Sequence, residues 1–265
     1  MPHNLSKNLE IAIKAALKAG EEIMAIYTSK NFEVEFKNDN SPLTKADRVS
    51  HEVINDHLSK TQYPLLSEEG ASINYEVRKN WNKFWLIDPI DGTKEFIKRN
   101  GEFTVNIALI ENNAPVLGVV YCPALKILYF SEKEKGSFKI LDISLFEEID
   151  DKTAHDLSKS AYPDIYTMVV SKSHMNDDTQ SYVDLKEKEY GQIESASYGS
   201  SLKICKVADG SAHCYPRFGP TMEWDTAAAH AIALFANCKI TQADEVTEVI
   251  YNKKNLLNPY FIISN

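Results

Sequence analysis

The chain has 265 residues, 43% of them apolar, which allows one large domain or two modest ones with ample material for a core. Its net charge of −9 argues against a nucleic-acid polymer as partner, since such ligands need basic surface to displace counterions, but leaves small anions open. No apolar run approaches a membrane span, so integral membrane contact is not expected.

Leu9, Ile13, Leu17, Ile23, Met24 and Tyr27 recur at helical spacing among Lys14, Lys18, Glu21 and Glu22. This predicts an amphipathic helix over residues 5–29 rather than a signal peptide. A second helix is expected over 44–60, and Leu65-Leu66-Ser67 forms a short strand ending at Glu68 and Glu69. Strands follow at 84–88, 103–111, 115–122 and 126–131, with Asn112-Asn113 as a tight turn. The acidic, weakly patterned stretch 136–162 is the best boundary between an α+β half, 1–150, and an α/β half, 151–265. Beyond it the pattern predicts strand 167–171, helix 177–189, strand 193–197, helix 200–209, strand 212–218, helix 224–236 and a closing strand at 260–264. Cys122, Cys205, Cys214 and Cys238 show no zinc or redox spacing, so reduced, buried thiols and a cytoplasmic setting are expected. Peripheral association with an inner membrane stays open, as does the choice between monomer and homodimer.

The densest chemical signal is Trp85-Leu86-Ile87-Asp88-Pro89-Ile90-Asp91-Gly92-Thr93-Lys94-Glu95-Phe96. An apolar run delivers two aspartates into a turn; Pro89 cannot donate to a ladder, and Gly92 permits close backbone approach. Carboxylates forced together repel unless a cation lies between them. Asp225, ahead of the helix-forming run Ala227 to Ile232, is either a helix cap or a further ligand. Asp47 is by itself an ordinary first-turn acid. Glu68, Asp88, Asp91 and Asp225 are the type of set that magnesium takes, with waters and substrate phosphate completing its shell.

With these residues in place, the chain resembles the magnesium-dependent, lithium-sensitive phosphatases of the inositol monophosphatase superfamily. The resemblance rests on Asp88-Pro89-Ile90-Asp91-Gly92-Thr93, on Glu68-Glu69 before it, and on Trp224-Asp225 downstream. It extends to the 3'(2'),5'-bisphosphate nucleotidase branch of the CysQ type through Lys94 to Ile110, Gly199-Ser200-Ser201-Leu202-Lys203 and Tyr215-Pro216-Arg217-Phe218-Gly219-Pro220-Thr221. It covers nearly the whole chain, and no metal-site position lacks the expected residue type. It implies a layered α-β-α-β-α sandwich with the active site between the two halves.

Carried across residue by residue, the resemblance implies that Glu68, Asp88 and the Ile90 carbonyl hold one magnesium ion. Asp88, Asp91 and Asp225 hold a second, with Asp88 bridging. Thr93 contacts the attacking water, Asp47 accepts the Thr93 hydroxyl, and Glu69 assists through a further water or a weak third metal. The Gly92 and Thr93 amides receive phosphate oxygens. His174 lies beside the base or ribose, Ser200 and Lys203 contact the nucleotide and its second phosphate, and Arg217 helps there. On their surroundings alone, Ser200 is equally a helix N-cap and His174 an exposed loop histidine. The implied reaction is hydrolysis of 3'-phosphoadenosine 5'-phosphate to AMP and phosphate, with the sulfated form as a further candidate substrate and sulfur assimilation as the setting. An inositol or sugar phosphatase is the alternative. A catalytically silent regulatory protein ranks last, because neither a metal carboxylate nor Thr93 is lost.

Overall fold

Ser6 starts the first helix, its hydroxyl accepting the Leu9 amide at 3.2 Å. The computed structural model describes residues 5–29, 34–36, 42–143, 153–170 and 175–265. The elements in order are α1 (Lys7–Thr28), β1 (Val34–Phe36), β2 (Pro42–Thr44), α2 (Lys45–Leu58), β3 (Leu65–Ser67), α3 (Tyr75–Arg78), β4 (Lys83–Asp91) and α4 (Thr93–Ile97). Next come β5 (Thr104–Glu111), β6 (Ala114–Cys122), β7 (Ile127–Glu132), β8 (Gly136–Ile140) and β9 (His155–Asp156). The chain then forms β10 (Thr167–Val169), α5 (Asp177–Tyr190), β11 (Glu194–Ala196), α6 (Leu202–Ala208), β12 (Cys214–Arg217), α7 (Glu223–Phe235), β13 (Lys239–Gln242) and β14 (Phe261–Ser264).

The strands form a seven-stranded sheet in the order β3-β4-β5-β6-β7-β8-β9 and a five-stranded sheet in the order β11-β10-β12-β14-β13. Side chains alternate across the first sheet, as the pleat requires. Trp85, Ile87, Val105, Ile107 and Leu109 join the core under α1 and α2. Phe84, Leu86, Ala108 and Ile110 face the opposite way, into the core shared with α6 and α7. Met168, Val170, Cys214 and Ile262 cover the far side of the second sheet with Tyr182 and Val183 of α5. The result is the expected α-β-α-β-α sandwich. Gly118 of β6 lets α7 ride close to the sheet, since a Cβ there would lie 2.2 Å from the Ala228 carbonyl oxygen. The run Ala227-Ala228-Ala229 supplies the matching small surface on α7.

Three departures from the sequence expectations have physical causes. Strand β4 does not stop at Asp88 but continues past Pro89 to Asp91. Its ladder pairs Asp88 with Asn106 and Asp91 with Thr104, so β4 carries one extra residue there. This is a bulge, and it accommodates the missing Pro89 donor. The weakly patterned stretch after residue 136 contains β8 and β9, which extend the first sheet beyond residue 150. Ser137 breaks the apolar alternation there, yet it is buried, its hydroxyl donating to the Ile232 carbonyl of α7 at 2.6 Å. Strand β13 is the third, and it pairs antiparallel with β14. All four cysteines are buried and free. Among the described residues, no helix is long and apolar enough to cross a membrane.

Candidate active site

The bulge of β4 shapes the first part of the site. The extra residue after Asp88 turns Asp91 toward the face that Asp88 already takes by regular pleating, and the Asp88 carboxylate accepts the Ile90 amide at 3.1 Å. Gly92 follows at φ 89, a left-handed conformation that glycine adopts without steric penalty, and α4 begins at Thr93.

Helix α2 holds this turn from behind with residues one helical turn apart. Asp47 Oδ2 accepts both the amide and the hydroxyl of Thr44, at 2.7 and 2.6 Å, which caps the helix. Its other oxygen, Oδ1, faces the Thr93 hydroxyl at 3.3 Å. Ser50 donates to the Pro89 carbonyl at 2.8 Å, and His51 Nδ1 lies 2.9 Å from Ser67 Oγ, beside Glu68. One face of α2 thus supports both acidic turns.

Glu68, Asp88 and Asp225 bring carboxylate oxygens within 4.8 Å of one another. Asp88 is buried, and desolvation together with the charges of Glu68, Asp91 and Asp225 holds its carboxyl well above the usual range. Burial, and then the charge of Asp91, pushes Asp225 up to about 8. Such a cluster holds protons or a cation. Its donors are all hard oxygens, so a divalent ion of the magnesium type fits them. Asp225 is both cap and cluster member, its Oδ2 accepting the Met222 amide at 2.8 Å. Asp91 stands alongside with Oδ2 accepting from Ser200 at 2.7 Å. Glu69 is half-buried on the turn after Glu68, outside the three-carboxylate cluster.

Two adjoining cavities open on this cluster. One of about 440 Å³ is lined by Glu68, Asp91, Gly92, Thr93 and Asp225. The other, of about 620 Å³, also includes Asp91 and Asp225 but reaches Ser200, Lys203 and Arg217. Lys203 is half-buried; desolvation lowers its pKa, and Arg217 lowers it further against the opposing charges of Asp91, Glu95 and Glu102. Its ammonium lies 3.4 Å from the Tyr198 carbonyl. Arg217 spends one Nη2 bond on the Pro220 carbonyl at 3.0 Å, and its Nε is buried without a partner among the described residues. Cationic donors so poorly matched inside a cavity suit an anionic ligand.

His174 lies outside the described residues. Ser200 is not the N-cap of α6; Ser201 occupies that place, and Ser200 adopts φ 54 with its hydroxyl on Asp91. His230 is buried against Tyr251, its pKa pushed down to about 3 by desolvation. Sequence reasoning missed Ser50, Thr104, Asn106, Ser201 and Glu223. Glu223 is fully buried and accepts from the Asn252 amide and from the Lys253 amide and ammonium, fixing the loop beside the start of α7. The only signal available for any of these was Thr104 and Asn106, two polar residues alternating in an apolar strand.

Residues 4–265 match the Inositol monophosphatase family. The chain is 42% identical over 259 residues to the 3'(2'),5'-bisphosphate nucleotidase CysQ of Salmonella typhimurium, covering 97% of this chain and 99% of that one. It is 40% identical, at the same coverage, to the protein of that name from Escherichia coli strain K12. The crystal structure of CysQ from Bacteroides thetaiotaomicron superposes with a TM-score of 0.88 at 47% identity, covering 97% of this chain and 96% of that one. The chain belongs to the inositol monophosphatase family.

Proposed function

We propose that this protein is a magnesium-dependent 3'(2'),5'-bisphosphate nucleotidase that removes the 3'-phosphate of 3'-phosphoadenosine 5'-phosphate, giving AMP and phosphate. The observation that carries the reading is the joining of the carboxylate cluster and the Lys203–Arg217 pair by one cavity of about 620 Å³, a volume suited to a nucleotide. The relatives from Salmonella typhimurium and Escherichia coli bear the name of that activity.

When bound, magnesium activates a water and neutralises charge on the reacting phosphate and leaving oxygen. Glu68, Asp88 and the Ile90 carbonyl would hold one ion, and Asp88, Asp91 and Asp225 a second, with Asp88 shared. Glu69 would assist through a water or a weaker third ion. The residues of the chain do the rest. Thr93 Oγ1 orients the attacking water by accepting a hydrogen bond from it, while the Thr93 hydroxyl donates to Asp47 Oδ1, which raises the acceptor strength of that oxygen. The amides of Gly92 and Thr93 receive the phosphate oxygens. Lys203, Arg217 and Ser200 bind the non-reacting 5'-phosphate and the nucleotide, with His174 beside the base or ribose. The four buried thiols suit a reducing cytoplasm. Phosphate release measured with magnesium on 3'-phosphoadenosine 5'-phosphate, its sulfated form, inositol phosphate and fructose bisphosphate tests the reading. The bisphosphate nucleotide should be the best substrate and lithium should inhibit; preference for inositol phosphate would overturn it.

A further inference from the structure

Strand β5 turns Ala108 and Ile110 toward the apolar layer of α6 and α7. On the same face, two and four residues before Ala108, stand Asn106 and Thr104, both buried. Buried polar side chains are unfavourable unless they are hydrogen-bonded, and apolar residues would fill this space without that demand. Their place in the ladder accounts for them. Asn106 is the cross-strand partner of Asp88, and Thr104 that of Asp91, on either side of the bulge.

From there a continuous polar chain crosses to α7. Ser200 Oγ donates to Asp91 Oδ2 at 2.7 Å and lies 2.6 Å from Thr104 Oγ1. Thr104 Oγ1 is 2.9 Å from Asn106 Oδ1, so its single proton serves two neighbours. Asn106 Nδ2 donates to Ser201 Oγ at 2.9 Å, and Ser201 Oγ donates to the backbone carbonyl of Asp225 at 2.6 Å. One end grips the Asp91 carboxylate and the other the backbone of Asp225. The turn that links them includes Ser200 at φ 54, a conformation sparsely populated by non-glycine residues, and it persists only under outside constraint.

We propose that Thr104, Asn106 and Ser201, of which only Ser201 borders the cavity of about 620 Å³, are positioning residues that act through Asp91 and Asp225: they fix the separation of those two aspartates and thereby set the affinity for magnesium. This rests on the reading of those two aspartates as metal ligands. Partners of ligating carboxylates typically change metal affinity by about 10- to 100-fold when removed.

The test uses the full chain without substrate: calorimetric titration with Mg2+ alone, and thermal midpoints of the metal-free protein. Thr104→Val and Ser201→Ala should each raise the Mg2+ dissociation constant roughly 10-fold or more, with the metal-free midpoint shifted by no more than about 4 °C. Thr104→Ser, which keeps the hydroxyl, should bind Mg2+ nearly as the wild type does. Asn106→Leu should weaken binding as well, and if it fails to fold the other two variants decide. If the wild type binds Mg2+ and Asp88→Asn does not, yet Thr104→Val and Ser201→Ala bind normally, the positioning role is wrong while the metal site stands. Equal weakening in Thr104→Ser and Thr104→Val would assign the effect to packing and also overturn it. A wild type that neither binds Mg2+ nor releases phosphate would overturn the metal-site reading and this inference with it.

Discussion

Asp47 divides its carboxylate between two tasks: Oδ2 closes the cap of α2 on Thr44, and Oδ1 faces the Thr93 hydroxyl at 3.3 Å. The helix start and the candidate water-activating group are therefore one structure. Thr93→Ala should lower turnover by roughly two to four orders of magnitude, the usual range for a positioned proton-transfer group. Asp47→Asn should act in the same direction, and the double variant should lose much less than the product of the two. Multiplicative losses in kcat would show that the residues act independently. Asp47→Asn should also lower thermal stability by about 1 kcal/mol through the cap, a loss Thr93→Ala should not share.

Asp88 sits buried among Glu68, Asp91 and Asp225, whose charges disfavour its ionisation. Asp88→Asn should remove most activity and leave the fold intact, since the carboxylate serves the cluster rather than the core. Without magnesium the variant should melt no lower than the wild type, because an amide there carries no charge for Glu68, Asp91 and Asp225 to repel. Near-normal turnover in the variant would remove Asp88 from the site.

Asp225 gives the metal-free protein a pH signature. Its folded pKa of about 8 lies above the ordinary value of 3.8, so folding favours the protonated form. That contribution to stability is fully present below the ordinary value and is lost as pH rises through about 8. The raised carboxyl of Asp88 acts in the same direction. The thermal midpoint of the metal-free protein should therefore fall across this window relative to an Asp88→Asn, Asp225→Asn double variant. Added magnesium should restore the wild type more strongly at pH 8 than at pH 5. A wild type and double variant with parallel pH profiles would contradict the shifts.

The legible part of the site was local in sequence. Asp88 to Thr93 is a short string whose Pro, Gly and paired acids have few other uses, and it predicted a turn where the bulge lies. Asp225 was legible only as an alternative between cap and ligand, and its carboxylate serves as the cap while lying within the cluster. Ser200 is less simple: its neighbourhood suggested a cap, but the cap is Ser201, and the Ser200 hydroxyl reaches Asp91, 109 residues earlier in the chain. Thr104, Asn106 and Ser201 gain meaning only through pairing between distant segments, as does the clamp of Glu223 on Lys253. Ser137 hid strand β8 in a similar way, as a buried polar residue whose hydroxyl finds its acceptor in a carbonyl of a distant helix. Periodicity reports which face is buried, but it does not report which polar groups meet there.

The central claim is that one cavity joins a metal-bound reacting phosphate to a basic pocket for a second phosphate. The measurement that tests it most directly is kcat/KM for wild type, Lys203→Ala and Arg217→Ala on 3'-phosphoadenosine 5'-phosphate and on adenosine 3'-monophosphate. Each truncation should cost roughly 2–4 kcal/mol, or about 30- to 1000-fold, on the bisphosphate, the range for charge-assisted contacts in a partly desolvated site. On the monophosphate, which places nothing between Lys203 and Arg217, the loss should largely vanish. Equal losses on both substrates would mean that these residues serve the reacting phosphate or the fold, and the two-phosphate account would be wrong.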